Sequence, residues 1–305
     1  MSPIDVASLI VAAIAVAGLA GAAAFSFQHR DASGGLPPRT ALARAGSYAG
    51  LAIVVLLAMR TGLVGIATLV AVLSLLGLWE WATLFGLPAH HRIALLIAAA
   101  VVIAAVSIQG PSAADALVGG LVLVGAIWPV LRADTGLAVR DLGLAAVGFV
   151  IIPVLLVHAV ALVEERGDTG LVVFAALAVA CAAADVGAFL VGRRFGRTPL
   201  APRLSPSKTR AGLAGNLAGA AVGIGLFAPA IVPALGGAPT LALVPLVAGG
   251  SVWGDLLESA VKREAGAKDA GTWLPGFGGI LDRIDSLLIT VALAYWLVRL
   301  TVPAT

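Results

Sequence analysis

The sequence predicts an all-α, polytopic integral membrane protein of about ten transmembrane helices, nine or ten in all. Three observations predict it. Of the 305 residues, 60% are hydrophobic and only 11% charged. The apolar residues gather into repeated runs of roughly 20, the length a helix needs to cross a bilayer core of about 30 Å. The few cations are distributed unevenly between alternate loops, as they are when loops alternate between the two sides of a membrane.

The runs are taken in order, with edges set to within about 2–4 residues. The first, 4–27, carries Asp5 and no basic leader, so it reads as a retained span and not as a signal peptide. The second, 42–59, opens among Arg44 and Ser47, and the third, 62–86, holds Glu80 between Trp79 and Trp81. Spans at 92–109 and 114–131 follow, then 142–163 with His158 and 170–192 with Cys181 and Asp185. The stretches 213–234, 240–261 and 280–301 complete the set, the ninth ending in charge. Segments such as VAGLAGAAA and AGNLAGAAVGIG are rich in small residues, which let helix backbones approach closely, so they read as packing surfaces. Structural roles are expected for Glu80, paired at an interface, and for His158, a satisfied interior histidine. No repeat and no long linker interrupts the chain, so residues 1–305 read as one integral domain, with the chemistry in 170–305.

Of the 19 Lys and Arg residues, only Arg60, Arg166 and Arg299 fall on one side of this topology, and the remaining sixteen on the other. Basic residues favour cytoplasmic loops, which makes the rich side cytoplasmic and puts both termini on the far side. It also brings the two most polar loops, 193–212 and 262–283, to one face. An inner (cytoplasmic) membrane location with a site facing the cytoplasm is therefore expected.

Composition also excludes. Cys181 is the only cysteine, so neither an intrachain disulfide nor a cysteine metal site is available. The pI near 9.5 reflects a net charge of only +3, with the cations flanking spans. That pattern suits lipid head groups or phosphate substrates and not nucleic acid.

Ser259 to Ser286 crowds four acidic and four basic side chains beside two spans, where charge costs about 2.5–3.5 kcal/mol at a helix centre. Asp282 and Asp285 are three residues apart, hence on one helix face, and Asp255 and Glu258 repeat the spacing at the end of the ninth span. Lys262 follows Glu258 by four, within ion-pair reach. Mg²⁺ takes one or two carboxylates together with waters and substrate phosphates, so this pattern reads as a metal-assisted nucleotide-phosphate site. The glycines of Pro275-Gly276-Phe277-Gly278-Gly279 allow backbone N–H groups near a helix start to approach phosphate oxygens. Lys262, Arg263, Lys268 and Arg283 flank them. In the second loop, Arg193 and Arg194 suit either a phosphate or an ordinary basic loop. Asp185, costly if alone within a span, should face the same pocket.

The run Ser259-x-x-Lys262-Arg263-x4-Lys268-Asp269-x5-Pro275-Gly276-x-Gly278-Gly279-x-x-Asp282-Arg283-x-Asp285 resembles the signature of the phosphatidate cytidylyltransferases. Upstream, Asp185-x-Gly187-Ala188-Phe189-x-x-Gly192-Arg193-x-Phe195-Gly196, with Leu200-Ala201-Pro202 and Ser205-Pro206-x-Lys208-Thr209, is similar to the same family's preceding loop. The likeness covers 183–290. It departs at Phe277, where the family usually has His, and at Arg210-Ala211, where an acidic residue commonly precedes the glycine now at Gly212. The resemblance implies attack of phosphatidate on the α-phosphorus of CTP, giving CDP-diacylglycerol and pyrophosphate. It implies Asp255 and Asp282 on Mg²⁺, Asp285 supporting them or holding a second cation, and Glu258 orienting Lys262. It further implies Lys262, Arg263, Lys268 and Arg283 on the triphosphate, and Asp185, Ser205, Lys208, Thr209, Gly278 and Gly279 toward substrate. A homodimer through an Ala/Gly face is compatible with it. Three alternatives stand beside it: a CTP-dependent polyprenol or phytol kinase, a membrane transporter, and an inactive relative that binds CTP or phosphatidate.

Overall fold

With so few polar side chains, a backbone in apolar surroundings must satisfy its own hydrogen bonds, and the helix does so within one segment. The computed structural model describes residues 2–28, 50, 52–114, 117–121, 138–267, 270–271 and 278–303. Helices α1 (Pro3–Gln28), α2 (Leu63–Leu84), α3 (Ala89–Gln109), α4 (Ala138–Phe149) and α5 (Leu155–Phe195) come first. A hairpin of β1 (Pro199–Ala201) and β2 (Ser205–Thr209) precedes α6 (Arg210–Leu235), α7 (Gly237–Glu264) and α8 (Leu281–Thr301). Among the described residues, six helical stretches are long and apolar enough to cross a membrane: 63–84, 89–109, 139–195, 210–235, 237–264 and 281–301. Of the spans expected at 42–59 and 114–131, residues 50, 52–59, 114 and 117–121 are helical; the remainder lies outside the described residues, and the total of about ten depends on it.

The 139–195 stretch has 57 residues, about 85 Å at 1.5 Å per residue, too long for one crossing. Gly167 divides it. Its φ of 51° and ψ of −126° lie outside the helix, in a region that a residue without Cβ enters readily. The chain doubles back there, and a Cβ on Gly170 would strike the Leu162 carbonyl. The expected spans 142–163 and 170–192 are thus the two arms of a helical hairpin. Between α4 and α5, residues Val150–Val154 form a π turn around Pro153. Proline has no N–H for the α ladder, and the wider turn absorbs the loss.

Small residues set the helix spacing. A Cβ on Gly187 would collide with the Gly215 carbonyl and one on Gly215 with that of Gly187; Gly219 lies against Ala183 and Gly223 against Ala180. α5 and α6 therefore touch backbone to backbone along a stripe repeating every four residues. Gly250 and Gly254 do the same for α7 against Thr290 and Asp285 of α8. Gly215→Leu is expected to separate α5 from α6 and cost about 1–3 kcal/mol of stability, read as a lowered thermal midpoint in detergent; an unchanged midpoint would contradict the packing.

The cations assigned to the basic-poor side tie helix ends together. Arg60 pairs with Asp5 at 3.1 Å, Arg166 donates to the Val302 carbonyl at 2.7 Å, and Glu165 accepts from the Tyr295 hydroxyl at 3.0 Å. His158 Nδ1 lies 2.8 Å from the Val154 carbonyl and its ring meets Tyr295 edge-on, the interior role expected for it. Cys181 is buried, as expected of a small packing residue.

Candidate active site

Three pieces of chain converge beside the α7–α8 contact. Because Gly250 and Gly254 let α7 sit directly on α8, with Gly254 against the Asp285 backbone, the carboxylates of Asp255 and Asp285 are brought together at that contact. The hairpin supplies the third piece. Where the sequence suggests only a turn-prone loop, β1 and β2 pair antiparallel with Pro199 opposite Thr209 and Ala201 opposite Ser205. The Thr209 side chain accepts from Gly212 N–H at 3.1 Å and caps α6, packed among Gly192, Gly196 and Gly212. Those glycines of the upstream motif make room for the cap.

Anchored at both ends, β2 directs Lys208 to the Asp255 carboxylate, where the two form an ion pair. Asp255 also accepts from the Ser286 hydroxyl at 2.9 Å, and the Asp285 carboxyl lies against it. Asp285 in turn accepts from Ser286 N–H at 2.7 Å. Asp185 is exposed on α5, with Asp255, Lys208 and Arg283 as its electrostatic neighbours. Lys208 and Asp255 each keep about a quarter of their side-chain surface exposed, enough for a ligand to reach them.

A second cluster lies alongside. Lys262 sits between Glu258 at 2.6 Å and Asp282 at 2.7 Å, and both carboxylates are buried, at 7% side-chain exposure. The spacing argument for Glu258 and Lys262 therefore holds. Asp282 Oδ2 accepts from Gly279 N–H at 2.8 Å and from Ala270 N–H at 3.2 Å. Here the structure departs from the expectation that the glycine turn presents its N–H groups to a ligand. The Gly279 donor is taken by Asp282, while those of Ile280 and Leu281 go to Glu80. Gly278, at φ 84°, shapes the turn, and a Cβ there would lie 2.8 Å from Asp282.

Of the remaining predicted residues, Arg283 is exposed on the first turn of α8, Arg263 is exposed on the last turn of α7, and Ser205 is half-buried on β2. Arg210 begins α6, its N–H bound to the Thr198 carbonyl at 3.0 Å. Lys268, Asp269 and Phe277 lie outside the described residues. Two participants escaped the sequence reading of the site. Ser286 is separated from its partner Asp255 by 31 positions, and Glu80 by 200 from Ile280. For Glu80 the signal was its cost, since a carboxylate inside a span needs a partner.

The donor set suits Mg²⁺. Asp255 and Asp285 offer two hard carboxylates converging on one point, beside the Ser286 hydroxyl, and the Lys208 ammonium already occupies a position for positive charge there. Among the described residues no group of three or more His, Cys, Asp or Glu could hold a metal alone.

The fold is that of a polytopic helical membrane protein with carboxylates and cations gathered where α7 meets α8. The chain belongs to the cytidylyltransferase family, whose model matches residues 42–301. A phosphatidate cytidylyltransferase of Brucella suis biovar 1 (strain 1330) is 49% identical over 113 residues, 36% of this chain and 41% of that protein. Those of Synechocystis sp. (strain ATCC 27184 / PCC 6803 / Kazusa) and Mycobacterium leprae (strain TN) are 43% identical over 141 residues and 39% over 127. These matches cover 46% of this chain and 47% of the former, and 41% of this chain and 39% of the latter. The aligned segment spans less than half the length of each of these relatives.

Proposed function

We propose that the chain is a phosphatidate cytidylyltransferase, joining CTP to phosphatidate to release pyrophosphate and leave CDP-diacylglycerol in the inner (cytoplasmic) membrane, with its site toward the cytoplasm. The observation that carries the reading is the convergence of Lys208, Asp255 and Asp285 from three separate elements, all within the region aligned to the family. The excess of Lys and Arg on the loops of that side supports the orientation.

The second ionisation of a phosphomonoester falls near pH 6, so the lipid phosphate is largely a dianion at neutral pH and needs no general base to attack. Positioning and charge neutralisation carry the catalysis. A phosphate oxygen of phosphatidate forms the new bond to the α-phosphorus of CTP, and the bond from that phosphorus to the bridging oxygen breaks, its electron pair leaving with pyrophosphate. Lys208 offers its ammonium to the phosphates entering beside Asp255. Lys262 is held rigidly by Glu258 and Asp282, and Arg263 and Arg283 extend positive charge toward the aqueous side. Asp255 and Asp285 would hold Mg²⁺, which would supply positive charge to the triphosphate. Asp282, engaged by Lys262 and two backbone N–H groups, orders the turn leading into α8.

The test is to supply detergent-purified protein with phosphatidate, CTP and Mg²⁺. Pyrophosphate is expected in step with CTP loss, stopped by a chelator and restored by added Mg²⁺. CDP release with an isoprenoid alcohol, and none of this with phosphatidate, would move the chain to the lipid kinases; silence with both would leave a transporter or an inactive binder.

A further inference from the structure

We infer that Glu80, on a helix outside the likeness at 183–290, is a positioning residue that holds the start of α8, and with it Asp282 and Asp285, in register for cytidylyl transfer. The inference rests on the cytidylyltransferase reading for its kinetic readout.

Glu80 is 2% exposed and spends both carboxylate oxygens on one short stretch of backbone. Oε1 accepts from Ile280 N–H at 2.9 Å and Oε2 from Leu281 N–H at 2.8 Å. These are donors that the first turn of α8 cannot satisfy within the helix, and a carboxylate there also opposes the positive end of the helix dipole. Two glycines form the rest of the seat. A Cβ on Gly279 would lie 2.6 Å from Oε2, and one on Gly271 would collide with Oε1. Only glycine at both positions lets the segment close over the carboxylate.

α2 itself is firmly placed. The residue beside Glu80, Trp81, is 2% exposed and donates from Nε1 to the Leu144 carbonyl of α4 at 2.9 Å. Glu80 is thus a fixed post, not a side chain that follows α8. Asp282 lies next to the held N–H groups and takes those of Gly279 and Ala270. Two carboxylates from different helices therefore bind four donors of the segment that carries the acidic motif. Slackening one changes where Asp282 meets Lys262 and where Asp285 meets Asp255.

Glutamine has the shape of glutamate but offers one oxygen, and its amide turns a donor toward an N–H donor. The variants Glu80→Gln, Glu80→Asp and Glu80→Ala, in the full chain in detergent, separate the possibilities. Expected for Glu80→Gln is a kcat lowered about 100-fold, the scale of a displacement near 1 Å, with KM for phosphatidate and the thermal midpoint unchanged, and part of the loss recovered in Glu80→Asp. Trypsin cleavage at Arg263 and Lys268 should be about 10-fold faster in Glu80→Gln than in the wild type, in the scale of a lost charged hydrogen bond. Wild-type activity with Glu80→Gln unchanged in both kcat and cleavage overturns the inference. So does activity lost only in proportion to a lowered midpoint, since that describes a space-filling role. A wild type inactive toward phosphatidate and CTP, with cleavage still accelerated in Glu80→Gln, sinks the functional reading and leaves the anchoring role standing.

Discussion

Asp282→Asn is expected to lower turnover roughly a thousand-fold while the protein inserts and folds. The carboxylate is buried with Lys262 at 2.7 Å and holds the Gly279 and Ala270 N–H groups. Asparagine keeps the size and one acceptor oxygen but loses the charge. Breaking one side of a buried ion pair costs about 3–5 kcal/mol, and each 1.36 kcal/mol is tenfold in rate when it falls on the transition state. Size-exclusion in detergent would show a normal monodisperse profile, because Glu258 still pairs with Lys262 at 2.6 Å. Turnover within a few-fold of wild type would remove Asp282 from the mechanism.

Lys208→Ala is expected to reduce kcat/KM for CTP by about 100-fold or more, on the same scale for a broken, partly buried pair. Without the ammonium, Asp255 loses its ion-pair partner beside Asp285, and a polyanionic nucleotide meets more negative charge. The pairing itself is testable by combining Lys208→Ala with Asp255→Ala. Residues in contact couple by about 0.5–3 kcal/mol, so the double variant should be distinctly less damaged than the two losses multiplied. Strict multiplication would show that the two act independently.

Much of the bundle was legible because hydrophobic length is a direct consequence of bilayer thickness. Expected spans at 62–86, 92–109, 213–234, 240–261 and 280–301 coincide with α2, α3, α6, α7 and α8. The sequence separates 142–163 from 170–192, and the structure shows the physical reason in the backbone of Gly167. Spacing also revealed Glu258 with Lys262, since i and i+4 on one helix is local geometry. What stayed hidden was every pairing between helices. Lys208 with Asp255, Ser286 with Asp255 and Glu80 with α8 depend on how deeply glycines at 250, 254, 271 and 279 let backbones approach. The glycine turn was read as a ligand cradle because its N–H groups suit anions; among the described donors, those of Gly279, Ile280 and Leu281 are taken by Asp282 and Glu80.

On the proposed function, this bundle transfers the cytidylyl group itself to a lipid phosphate. The most direct measurement supplies the purified protein with phosphatidate, Mg²⁺ and CTP radiolabelled at either the α- or the γ-phosphorus, then extracts the lipid. Label is expected in the lipid from α-labelled CTP and none from γ-labelled CTP, whose label leaves as pyrophosphate. Lipid labelled from the γ position, or from neither in the presence of folded protein, would contradict it.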